Sequence, residues 1–157
     1  MCKIISIEDC NRLFTKLKSQ NKKIVFTNGC FDLLHPGHID YLKKARKLGD
    51  LLVIGLNSDE SIKKNKGNNR PINDIKFRTT MLSAYSFVDY IIVFKDKTPI
   101  KLIQEVIPNI LVKGGDYKEE NIVGAEFVKN NGGNVTTIPF LEGFSSSKII
   151  SKILNLK

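Results

Sequence analysis

No stretch of this sequence approaches the roughly 18 consecutive apolar residues of a membrane-spanning helix. The opening Met1-Cys2-Lys3-Ile4 lacks the apolar core of a secretory leader, so neither membrane nor export is expected. Cysteine is scarce. Cys2, Cys10 and Cys30 are odd in number and show no metal-ligand spacing, which argues against a disulfide framework and a cysteine-held metal. Reduced thiols in a cytoplasmic protein are the expectation. Histidine is scarcer still, with His35 and His38 alone, and nothing offers a dedicated metal cage. Internal repeats, low-complexity segments and long basic runs are absent as well. The charge is nonetheless +9, carried largely by 21 lysines spread along the chain. Such an excess suits anionic ligands. Without a basic, aromatic-interleaved patch, nucleic acid is not the expected partner.

What is present is 157 residues, 41% of them hydrophobic, enough for one domain with its own core. Residues 1–157 are expected to form that domain, with 1–20 as a helical N-terminal extension. There Ser6 is the expected N-cap and Asp9 lies three residues on.

One stretch dominates, Lys23 to His38, reading KIVFTNGCFDLLHPGH. Ile24-Val25-Phe26 reads as a buried strand, and Asn28-Gly29 as the turn that ends it. Pro36 suits the first position of a helix, which makes His35 its N-cap and puts His38 one turn inside. Residues three apart share a helix face, so both imidazoles point the same way, at the positive end of the helix dipole. With Gly29 and Gly37 nearby, this predicts an anion site, most naturally for phosphates.

Strand and helix patterns alternate along the rest. Leu51–Leu56 is a continuous apolar run, as in a parallel strand covered on both faces, and ends in the polar turn Asn57-Ser58-Asp59. Ligands of open parallel sheets bind at such ends. Ser61–Arg70 reads as a basic loop holding Lys63, Lys64 and Lys66, for which a solvated charged run is the plain alternative. A helix over Phe77–Tyr85 carries Arg78 near its first turn. Tyr90–Phe94 is a third strand and Thr98-Pro99 opens a helix to Val106. Ile110–Val112 is a fourth strand, ending in Lys113-Gly114-Gly115-Asp116-Tyr117. Its two glycines suggest close backbone approach to a ligand. Asn121–Asn131 reads as a helix and Val135–Phe140 as a fifth strand. Ser145, Ser146 and Ser147 precede a final apolar-periodic run, as a capping cluster or a second phosphate site. The pattern predicts an α/β, Rossmann-like fold: a five-stranded parallel sheet with helices on both faces.

The run Gly29-Cys30-Phe31-Asp32-Leu33-Leu34-His35-Pro36-Gly37-His38 resembles the GxFDxxHxGH signature of the cytidylyltransferase-like nucleotidyltransferases. Over Lys23–Leu154 the chain resembles the ADP-heptose synthase adenylyltransferase branch, through LNSDES, KGNNRPIN, PNILVKGGDY, ENIVGAEFVKNNGG and EGFSSSKII. That resemblance implies transfer of AMP from ATP to heptose 1-phosphate, with pyrophosphate released and Mg²⁺ held mainly by substrate phosphates. It implies catalytic roles for His35, His38, Arg78 and Lys66. Nucleotide contacts fall to Asn28, Gly29, Phe31, Asp32, Gly37, Lys113, Gly114, Asp116 and Ser145–Ser147, and acceptor contacts to Asn57, Asp59 and Arg70. A homodimer and a separate heptose kinase upstream are implied too, because the kinase often fused to this branch is not in the sequence. The final motif departs from relatives that carry S-S-T-x-x-R, having S-S-S-K instead. A CTP-dependent enzyme acting on glycerol phosphate or another alditol phosphate is the nearest rival. A basic nucleic-acid-binding module is the rival from another class.

Overall fold

The computed structural model describes residues 2–115 and 117–156. Its centre is a parallel sheet in the order β1-β4-β3-β2-β5-β6. The strands are β1 (Lys3–Ile5), β2 (Ile24–Gly29), β3 (Leu51–Asn57), β4 (Tyr90–Phe94), β5 (Ile110–Gly114) and β6 (Asn134–Ile138). Seven helices accompany them: α1 (Cys10–Ser19), α2 (Pro36–Arg46), α3 (Asp59–Lys66), α4 (Ile75–Ser83), α5 (Ile100–Val106), α6 (Ala125–Asn130) and α7 (Ser146–Leu154).

Alternation along each strand builds a core on each face. Ile24, Phe26, Val53, Ile92 and Leu111 pack with Phe14 of α1, Ile103 of α5 and Val128 of α6. Val25, Leu52, Ile54, Ile91 and Val112 pack on the other face, with Leu42 and Ala45 of α2 and Leu82 of α4. The chain runs outward from β2 to β3 and β4, then returns to place β5 on the other side of β2. The sheet therefore has its switch point between the carboxyl ends of β2 and β5, where such folds leave a crevice.

Several boundaries differ from the sequence expectation. The sheet has six strands, not five, because Lys3–Ile5 pairs with β4 at its edge, Lys3 opposite Tyr90 and Ile5 opposite Ile92. Three residues, with Ile4 turned out at 57% exposure, carry no usable periodicity. Residues 2–20 thus hold a strand and a helix. That helix lies on the sheet through buried Cys10 and Phe14, and Asp9 replaces Ser6 at its N-cap. Much of the expected basic loop is α3. Its apolar anchor is the single buried Ile62, too little to show a period. Ser58 Oγ instead accepts from the Ser61 amide at 3.1 Å, and Asp59 and Glu60 lead while Lys63, Lys64 and Lys66 trail, which suits the helix dipole. The helix expected from Asn121 starts at Ala125, after Gly124 at φ +88°, where a Cβ would lie 2.6 Å from Ile103 Cδ1. Among the described residues, no helix is long and apolar enough to cross a membrane.

Candidate active site

The crevice at the switch point is a cavity of about 550 Å³. Helix α2 supplies one wall. His35 is its N-cap, in extended conformation, and Pro36 occupies the first turn. His35 and His38 share a face, their rings stacked with centroids 3.9 Å apart. Both line the cavity, and neither Nδ1 has a hydrogen-bond partner among the described residues. Phe31 meets His38 edge-on at 5.3 Å. Gly37 suits this packing, since a Cβ there would lie a tight 3.0 Å from His35 Nδ1 and 3.4 Å from Phe144 Cβ.

Burial lowers the pKa of both histidines. His38 falls to about 4, mainly through burial, with His35 and Lys66 adding repulsion. The site thus presents two neutral imidazoles beside a helix N-terminus, and a polyanion would draw protons onto them. A stability consequence follows. Between the unfolded value of 6.5 and the folded value of about 4, the unfolded chain binds more protons, so stability falls as pH drops through that window. Urea titrations of wild type and His38→Gln between pH 7 and 4 check this. Wild type should lose stability faster with acid, by a slope approaching about one proton. Parallel curves would contradict the assigned burial of His38.

The other walls come from strand ends and from the segment after β6. Lys113 Nζ donates to Asn28 Oδ1 at 2.5 Å, joining β5 to β2 across the crevice. Burial lowers the Lys113 pKa to about 8, against a small opposing effect of Cys30. Asn57 lines the cavity too, its amide donating to Ser61 Oγ. Ser145 and Ser146 face the cavity at the N-terminus of α7, while Ser147 does not line it. Ser145 Oγ caps the Lys148 amide at 3.1 Å, and Ser146 Oγ donates to the Leu33 carbonyl at 3.3 Å. Lys66 reaches the rim, whereas Lys63 and Lys64 do not. Gly29 and Gly114 line the crevice. The partner that approaches Gly114 and Gly115 closely is the Phe140 ring, which a Cβ would meet at 2.7 and 2.4 Å. Asp116 lies outside the described residues.

Four expected site residues stand behind the cavity rather than in it. Arg78 is fully buried. Its guanidinium donates to the carbonyls of Asn73, Cys30 and Asn57 and to Asp59 Oδ1 at 2.6 Å. Asp32 accepts from the Ile72 and Asn73 amides, and Arg70 Nε lies 2.9 Å from its Oδ2. None of Asp32, Asp59, Arg70 and Arg78 lines the cavity. Where the sequence reading gives Arg78 a phosphate and the other three a ligand, the structure shows all four engaged with protein groups behind the cavity. Together they lock residues 70–78 to the turn after β2, where Phe31 sits at φ +44°. A backbone in the left-handed region persists only when its surroundings hold it. The Arg78 bond to the Cys30 carbonyl, one residue earlier, helps to do so.

Some lining residues escape the sequence. Tyr41, three residues after His38 and so on the same face of α2, shares a hydrogen bond with Thr27 and donates to the Val112 carbonyl. That spacing is a readable signal. Lys97 and Tyr117 lie on loops, and Phe140 and Phe144 flank Gly143, where no periodicity marks them. Among the described residues, no three histidine, cysteine or carboxylate side chains are grouped to hold a metal.

The cytidylyltransferase-like family model matches residues 26–152. The chain is 50% identical over 154 residues to the bifunctional protein HldE of Pasteurella multocida, covering 98% of this chain and 32% of that protein. To HldE of Campylobacter jejuni subsp. doylei it is 53% identical over 151 residues, covering 96% and 32%. It therefore spans about a third of the length of these curated relatives. Among solved structures, the lipopolysaccharide core biosynthesis protein of Thermoplasma volcanium superposes with a TM-score of 0.61 at 33% identity, covering 76% of this chain and 97% of that one. The signature segment, the switch-point crevice and these matches agree: the chain belongs to the cytidylyltransferase-like family of nucleotidyltransferases.

Proposed function

We propose that this domain transfers AMP from ATP to D-glycero-β-D-manno-heptose 1-phosphate, forming ADP-heptose and pyrophosphate for lipopolysaccharide or a related glycan. The observation that carries the reading is the stacked His35–His38 pair at the α2 N-terminus, facing a crevice at the sheet's switch point. About 50% identity to HldE supports the heptose assignment, as does the likeness to the lipopolysaccharide core biosynthesis protein of Thermoplasma volcanium.

The chemistry asks little of a base. An acceptor phosphate oxygen is already an anion. It forms a bond to the α-phosphorus of ATP while the bond from that phosphorus to the bridging oxygen breaks, leaving pyrophosphate with the electron pair. Catalysis is then positioning and charge stabilisation. His35 and His38 donate toward the α- and β-phosphate oxygens, with the free amides at the start of α2. Lys66 approaches from the rim, and Ser145 and Ser146 bring the N-terminus of α7. Phe31 fixes the ring of His38, and Arg78 holds the turn that carries Phe31. Mg²⁺ suits a site of this donor set only as a guest of the triphosphate. The Asp32 carboxylate, the nearest acidic candidate in the sequence, is already engaged by two amides and Arg70. When bound, the ion would neutralise charge on the phosphates.

Pyrophosphate release distinguishes the substrates. ATP with heptose 1-phosphate and Mg²⁺ should turn over, and CTP with glycerol 3-phosphate should not. Faster turnover with the CTP pair would reject the heptose assignment and leave only the family.

A further inference from the structure

Lys113 stands apart from the other cations of the crevice. Lys66 and Lys97 are exposed at its rim, whereas Lys113 is half-buried at the end of β5. Its hydrogen-bond partner is a neutral amide, Asn28 Oδ1. Among the described residues, no carboxylate lies within ion-pair distance of its Nζ. A desolvated ammonium is normally matched by a counter-ion, and this one faces an open cavity with none among the described residues.

The reaction proposed above joins two anions, so it needs two anion subsites or repulsion keeps the reactants apart. The α2 and α7 N-termini meet on one side, where Ser146 bonds the Leu33 carbonyl and Phe144 packs by Gly37. That side collects the histidine pair and the two serines, the donors suited to a triphosphate. Lys113 reaches the cavity from the end of β5 and is tied to Asn28 of β2, not to either helix N-terminus.

We propose that Lys113 binds the phosphate monoester of the acceptor and positions its attacking oxygen, and is not a ligand of the nucleotide. This inference rests on the nucleotidyl-transfer reading. Asn28 holds the ammonium in place before the acceptor arrives and orients it afterwards. The attacking oxygen stays deprotonated until it bonds to the α-phosphorus, since an ammonium hydrogen bond engages one lone pair and leaves the others free to attack.

Calorimetry with α,β-methylene-ATP, and then with heptose 1-phosphate added to the saturated complex, separates the two subsites. Lys113→Met should weaken heptose 1-phosphate binding by about tenfold or more and analogue binding by less than about threefold. Lys113→Arg should recover part of the loss. The melting temperature of Lys113→Met should not fall, because a half-buried cation with no carboxylate partner among the described residues is removed. Lys113→Gln provides the same comparison should the methionine variant not fold. Equal loss of both ligands, or loss of the analogue alone, would place Lys113 with the nucleotide. Unchanged heptose 1-phosphate affinity would remove it from the acceptor site. Each of these results overturns the inference and leaves nucleotidyl transfer standing. A wild type that binds neither ligand overturns both.

Discussion

Replacing His38 with alanine is expected to lower kcat about 10²–10³-fold, the usual cost of losing one positioned donor at a developing charge. The melting temperature should move by no more than about 3 °C, which corresponds to roughly 1 kcal/mol in a domain of this size. The reason lies in the free protein. The His38 ring has an Nδ1 without a partner among the described residues, a close imidazole neighbour and a pKa depressed to about 4, so it adds little to the fold it sits in. On the proposed reading, its value is realised only when phosphate oxygens arrive. A steady-state assay beside a thermal melt checks both halves. A large fall in stability with activity preserved would make His38 a packing residue.

Replacing Arg78 with methionine is expected to do the reverse. The fully buried guanidinium makes four hydrogen bonds, to three backbone carbonyls and the Asp59 carboxylate. Methionine fills much of the same space and leaves all four acceptors without this donor. Unmatched acceptors of this kind cost about 1–3 kcal/mol each, and breaking a buried pair costs about 3–5 kcal/mol. Asp59 keeps some solvent access and its bond from the Ile75 amide, which moderates the total. A loss of at least about 3 kcal/mol is expected, or on the order of 10 °C in melting temperature. Activity should fall as well, through release of the Phe31 turn. A variant with wild-type stability and a raised KM for ATP would mean that Arg78 reaches phosphate after all.

These two residues show where the sequence can be read and where it cannot. The HPGH segment declares itself because everything that matters is local. Proline at N1, histidines three apart and a glycine between them fix the helix start and the shared face within four residues. The central strands are equally plain, since each is a short apolar run covered on both faces. The contacts of Arg78 are not legible in the sequence because they lie 19 to 48 residues away, with Asp59, Asn57 and Cys30. An arginine near a helix start looks the same whether it faces solvent, phosphate or three carbonyls. The Asp32–Arg70 pair is hidden for the same reason, its members being 38 positions apart and joined only by the fold. Edge strand β1 and helix α3 fail differently, each having too few buried residues to show a period. The glycine pair at 114–115 does mark a close approach, but the approaching group, Phe140, follows a different strand.

The central claim is that a sugar 1-phosphate oxygen attacks the α-phosphorus of ATP in the His35–His38 crevice. Heptose 1-phosphate carrying ¹⁸O in its phosphate tests this most directly, with products read by mass spectrometry and ³¹P NMR. The account predicts ADP-heptose retaining all of the label, the bridging oxygen included, and pyrophosphate carrying none. Labelled pyrophosphate, or labelled inorganic phosphate released with ADP, would contradict it.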